Sequence, residues 1–200
     1  MEFSGTFELD NVTIEAVWLA LSDPVLLAQA APGCEFARRI DDPGDVDFDE
    51  LREEAAASAD PPTLPEADPN DVAARGVQEG EHYAAVLGVS VGSVNPTFEA
   101  IATIAEREFP EMHAEAEGAS SNSSFEVRSG MRLTEVEGGV QVEWWGESDV
   151  FGRVAQLGQR VMNPVANRLV NRFFSGIADR LDEMSEEEAE AIRATIEENA

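Results

Sequence analysis

The 200-residue sequence contains no lysine, one cysteine, one tyrosine and two histidines, and each scarcity excludes something. Cys34, being alone, forms no intrachain disulfide and no multi-thiolate metal cluster. No base lies close to it in sequence, so a structural thiol is the expected role. His82 and His113 show neither HxH nor HExxH spacing, so a metal site would need distant carboxylates to converge on them. No phosphate-cradling glycine loop, nucleophile elbow or CxxC pair occurs. The sequence therefore displays no catalytic constellation and calls for no cofactor. No uninterrupted apolar run approaches the roughly 18 residues of a membrane-spanning helix, and Met1 leads straight into a strand pattern with no signal-peptide region. The expectation is a soluble cytoplasmic protein, with peripheral contact at the inner face of the membrane left open.

Acid is what the chain has in excess. Asp and Glu number 41 against 13 basic residues, all of them arginine, for a formal charge of −28. Residues 41–79 carry 13 acids and two arginines, and residues 182–200 carry eight acids and one arginine. Such like charge repels itself in dilute buffer. At molar salt the screening length falls to about 3 Å and the repulsion largely vanishes. A lysine-free acidic surface of this kind is expected of an extreme halophile. The same charge repels phosphate, and no basic patch offsets it, so nucleic acid is not an expected partner.

Residues 2–9 alternate Phe3, Gly5, Phe7 and Leu9 against polar neighbours, a half-buried strand. Ile14, Val17, Trp18 and Leu21 then mark a helix at 11–23, and Pro24 suits the first turn of a second helix. Pro32-Gly33 turns the chain into a strand near 34–40. Residues 41–79 hold five prolines among their acids, with little to bury beyond one or two helical turns at 47–57, and read as a mobile insertion. Strands are predicted at 81–91, 94–107, 109–118, 123–136 and 140–149, with turns at Gly92-Ser93 and Gly138-Gly139. A long amphipathic helix follows over 151–181, bent at Pro164. Residues 182–200 read as an acidic polar tail, with Ser185 opening a short solvated helix by a capping-box pattern.

Short successive strands closing on one long helix predict an α+β fold: a curved, seven-stranded antiparallel sheet gripping the C-terminal helix, in the order β-α-α-β-β-β-β-β-β-α. Such a sheet leaves room for an apolar cavity beneath the helix. The residues expected to line it are Tyr83, Phe98, Met112, Phe125, Met131, Trp144, Met162, Leu169 and Phe173, since methionine and aromatic side chains adapt to irregular apolar ligands. A filled core would use the same residues. Arg153, Arg160, Arg168, Arg172 and Arg180 face only Asp179 on their helix. They suit either an anionic docking surface or ion pairs with acids on other elements. An enzymatic alternative on such a fold would draw on Tyr83, His82 and Arg132.

The segments "MEFSGTFEL" (1–9), "PVLLAQAAPGCE" (24–35), "VSVGSVNPTFEA" (89–100) and "QLGQRVMNPVANRLVNRFF" (156–174) resemble the CoxG family of carbon monoxide dehydrogenase, a family with the START-like helix-grip fold. The resemblance covers roughly 1–40 and 80–181, within a START-like domain at 1–181. It implies a non-catalytic accessory protein of a molybdenum hydroxylase of the CO dehydrogenase type, binding a quinone or lipid, with the hydroxylase subunits or a maturation ATPase as partners. Other uses of the fold are a polyketide cyclase or dehydrase, or an interaction factor without ligand. The acidic 41–79 segment departs from the family's compact pattern and is placed to cover one mouth of the cavity. The polar tail departs from it too, because residues 182–200 cannot insert into a bilayer.

Overall fold

The computed structural model describes residues 1–91, 93–184 and 186–199. Seven strands form one antiparallel sheet: β1 (Glu2–Asp10), β2 (Cys34–Ile40), β3 (His82–Gly88), β4 (Thr97–Glu108), β5 (Glu111–Ala119), β6 (Ser123–Val136) and β7 (Gly139–Gly152). Their spatial order is β1-β7-β6-β5-β4-β3-β2, so the long hairpins β3 to β7 form a meander and the first two strands take its edges. The predicted α+β helix-grip architecture is thus the observed one. The period-two alternation sets the register: Met112 faces Met131, and Met131 faces Trp144, on three neighbouring strands.

Six α-helices complete the chain: α1 (Ile14–Ser22), α2 (Pro24–Ala30), α3 (Phe48–Ala57), α4 (Pro69–Arg75), α5 (Gln159–Leu181) and α6 (Glu186–Asn199). Thr13 caps α1 through its hydroxyl, and Asp23 caps α2 by accepting from the Val25 N–H at 3.0 Å. The "PGCE" turn needs its glycine. Gly33 has φ +79°, and its carbonyl accepts from the Gly88 N–H at 2.8 Å. A Cβ on Gly33 would stand 2.0 Å from the Gly88 carbonyl oxygen.

Three sequence expectations are corrected here. The helix expected from 151 begins at Gln159, because β7 continues to Gly152 and the chain then makes a short 3-10 turn at Ala155–Leu157. Glycines with positive φ at 152 and 158 separate the three pieces. The segment 41–79, expected to have little to bury, divides in two. Helix α3 buries no side chain, whereas Thr63, Leu64, Ala67, Val72 and Val77 are buried. The tail, expected as a solvated helix, packs through α6 on α1 and α4, and Ile192 is fully buried. The physical reason is α1 itself: every residue from Ala16 to Ser22 is buried. A helix apolar all round needs cover on every side, and α4 and α6 supply what the sheet does not. The proposed cap Ser185 and the Gly92 turn position lie outside the described residues.

Asp23 joins these layers. It is fully buried, and Arg75 grips it with two hydrogen bonds, Nε to Oδ1 at 2.9 Å and Nη2 to Oδ2 at 2.7 Å. The same guanidinium donates to the Pro62 carbonyl at 2.7 Å, and the Val77 N–H donates to the Ser22 carbonyl at 2.8 Å. The second half of the 41–79 segment is therefore clipped onto the α1–α2 corner.

Candidate ligand cavity

A cavity of 410 Å³ lies between the concave face of the sheet, the α1–α2 corner and the middle of α5. Small residues on five neighbouring strands make its floor: Ala37, Ala85, Ala102, Ala114 and Ser129. Tyr83, Met112, Met131 and Trp144 rise from the same face, Leu21, Pro24, Leu27 and Val77 close one end, and Val170, Phe173 and Phe174 form the roof. The Trp144 ring reaches across to β1, where a Cβ on Gly5 would stand 2.9 Å from it. Phe174 stacks on Phe7 with ring centroids 5.4 Å apart and so fixes α5 to the β1 edge.

Of the residues expected to line a cavity, Tyr83, Met112, Met131, Trp144 and Phe173 do so. Phe98 and Phe125 do not. They share the concave face nearer the opposite end of the sheet and meet edge-to-face at 5.2 Å. Met162 and Leu169 also lie outside the lining, half-buried on the first half of α5. Sequence reasoning missed the alanine floor and the α1–α2 wall. The small-residue alternation in "YAAVL" and "EAIATI" was the available signal, but what makes a floor is the pairing of Ala85, Ala102 and Ala114 on adjacent strands, which only the register decides.

The lining offers almost no free hydrogen-bonding group. The Tyr83 hydroxyl donates to Glu81 Oε2 at 2.6 Å, and the Ser129 hydroxyl donates to the Ala114 carbonyl at 3.3 Å. Burial, reinforced by the adjacent Glu81 carboxylate, pushes the Tyr83 hydroxyl well above the ordinary tyrosine range. Burial also acts to raise Glu81, but hydrogen bonds from Tyr83, the Gln78 N–H and Arg39 outweigh it and hold the carboxyl below its usual value. The other two candidates for acid–base chemistry lie elsewhere. His82 Nδ1 meets the Thr103 hydroxyl at 2.8 Å on the outer face, and Arg132 is exposed, gripping Glu111 at 2.6 and 2.8 Å. Tyr83, His82 and Arg132 therefore do not converge. Cys34 is half-buried with Sγ 3.3 Å from the Phe36 carbonyl, and burial pushes its thiol up to about 11.

A second concavity of 310 Å³ sits on the convex face, bordered by Glu115, Glu117, Glu126, Glu147 and Asp149. It is an acid-lined surface trough, unsuited to an apolar guest. Among the described residues no group of histidine, cysteine and carboxylate side chains is arranged to hold a metal, and no helix is long and apolar enough to cross a membrane.

Solved structures share this architecture at low identity. A conserved protein from Geobacillus kaustophilus superposes with a TM-score of 0.66 at 21% identity, covering 92% of this chain and 96% of its own. A START superfamily protein from Mycobacterium smegmatis gives 0.56 at 11%, covering 92% and 99%. The Zhui aromatase/cyclase from Streptomyces sp. R1128 gives 0.55 at 8%, covering 91% and 93%. At these identities the likeness establishes the START-like fold. No curated protein matches the chain significantly. Residues 74–182, which span β3 to β7 and all of α5, match the carbon monoxide dehydrogenase family CoxG. With more than half its length matched and the helix-grip fold in place, this chain belongs to the CoxG family of carbon monoxide dehydrogenase.

Proposed function

We propose that this protein is a non-catalytic accessory module that holds a lipophilic small molecule, a quinone or lipid, beneath α5. The observation that carries this reading is the 410 Å³ space whose lining is apolar and whose few polar groups are already bonded within the protein. Its volume falls in the range of small-molecule sites, about 300–1,000 Å³. Binding there draws on apolar burial, about 25 cal/mol per Å² before the costs of association. Ligand chemistry that needs a positioned acid or base finds none free: the Tyr83 proton is committed to Glu81. The family membership supports a role beside a molybdenum hydroxylase of the CO dehydrogenase type, with the hydroxylase subunits or its maturation ATPase as protein partners. The lysine-free, −28 composition supports a salt-rich cytoplasm as the setting.

The test is to purify the protein at molar salt, extract it with organic solvent and analyse the extract by mass spectrometry. Titration with a short-chain quinone follows, read by tryptophan fluorescence, since Trp144 stands in the wall. A co-purifying lipophile or saturable quenching is expected. Ala114→Trp, which fills the floor, should abolish either signal. An empty extract together with no quenching by quinones or lipids overturns the proposal. A pull-down at native salt that recovers hydroxylase subunits tests the partnership separately.

A further inference from the structure

The arginines divide into two groups. Arg38, Arg39, Arg52, Arg75, Arg128, Arg132, Arg180 and Arg193 each pair with a carboxylate. Arg153, Arg160, Arg168 and Arg172 are exposed and have no such partner among the described residues. They share one stretch. From Val150 to Ala178 the chain has no acid at all, and α2 alongside has none either. In a chain with 41 carboxylates this is a local reversal of sign.

Its position relative to the cavity follows from helical spacing. Val165, Leu169, Arg172 and Gly176 recur at four, three and four residues and lie on one face of α5. At its C-terminal end that face touches α2, where a Cβ on Gly176 would meet Ala30 at 3.4 Å. One turn earlier α2 has ended its contact, and the same face carries Arg172, the half-buried Leu169 and Val165, and Arg168 one turn before Arg172. Phe173, next to Arg172, is a roof residue of the cavity. Apolar roof and unpaired guanidinium groups thus border the same opening, while the interior offers a ligand no free donor. A neutral polar head would find no partner inside, and an acidic head would find charge only at this rim.

We infer that Arg168 and Arg172 form an anion-recognising collar at the mouth of the cavity, taking the acidic headgroup of an amphiphile whose chain fills the apolar interior. This rests on the cavity being a lipophilic-ligand site, and it narrows the ligand class to acidic, chain-bearing molecules bound tail first. Guanidinium groups suit carboxylate and phosphate alike, because their forked donors match both.

The test compares dodecanoate with dodecanol, one chain with two heads, by tryptophan quenching below their aggregation concentrations. Titrations are run at about 0.2 M and about 2 M potassium chloride, with circular dichroism confirming the fold at each. Dodecanoate should bind roughly five- to tenfold more tightly than dodecanol at the lower salt, an exposed charge-assisted contact discounted for solvent. The preference should shrink at the higher salt. R168Q/R172Q should lose the preference and keep its affinity for dodecanol, and R168K/R172K should keep part of it. Equal affinity for the two heads in the natural protein, or a preference that survives R168Q/R172Q, overturns the collar while leaving the cavity reading intact. Binding of neither head overturns both. If R168Q/R172Q loses only its attachment to phosphatidylglycerol vesicles and binds dodecanoate unchanged, the arginines serve a bilayer surface and the collar is overturned.

Discussion

The two halves of α5 obey one amphipathic pattern but do different work. In the second half Phe174, Ile177 and Leu181 are buried, stacked on Phe7 and wedged against α1 and α2. In the first half Met162, Val165 and Leu169 lie half-buried with no strand beneath them closer than the β1 edge. Pattern alone makes the halves equal, whereas packing makes one an anchor and the other the rim of an opening. An apolar stripe is therefore a statement about potential burial, and how much of it is realised depends on what the rest of the chain brings opposite.

Substitutions sharpen this contrast in order of expected size. Ile177→Ala, at a fully buried position, should cost about 3–4 kcal/mol and lower the thermal midpoint by about 10 °C, read by circular dichroism at molar salt. A loss under about 1 kcal/mol would mean that the second half is no anchor. Arg75→Ala leaves the buried Asp23 carboxylate without its partner. It should cost about 2–3 kcal/mol, less than a wholly interior pair because the arginine is partly exposed. It should also loosen Val77 and so weaken ligand retention, which a chase by competing lipophile would measure. Leu169→Ala should change stability by less than about 1 kcal/mol, and a larger loss would erase the distinction between the halves. The smallest effect concerns acid. Glu81 has a depressed folded-state pKa, so its stabilisation is present above the ordinary carboxylate range and is lost as pH falls through the folded value. Tyr83→Phe removes one of the hydrogen bonds that depress it. Acid unfolding of that variant, followed by tryptophan fluorescence, should begin at higher pH than in the natural protein.

The fold was legible because strand alternation is a local signal: Met112, Ala114 and Ala116 announce their face without reference to anything distant. The roof residue Phe173 and the wall residues Met112, Met131 and Trp144 were legible for the same reason. The floor was not, because Ala37, Ala85, Ala102 and Ala114 become one surface only through pairing across strands far apart in sequence. The acidic segments were misread for a related reason. Leu64, Val72 and Ile192 are isolated apolar residues among acids, too sparse to show a period. What requires their burial is the otherwise uncovered back of α1, far away in the chain. The all-round apolarity of "IEAVWLALS" was the one clue that a cover had to come from somewhere.

The cover that α4 and α6 lay over α1 separates two kinds of adaptation. The segments 41–79 and 182–200 hold net charges of −11 and −7 out of −28, and of their residues only Val77 reaches the cavity lining. Charge is thus concentrated in an outer shell held on by a few anchors, while recognition resides in the sheet and α5. A lineage moving between salinities could retune that shell residue by residue and leave its ligand untouched.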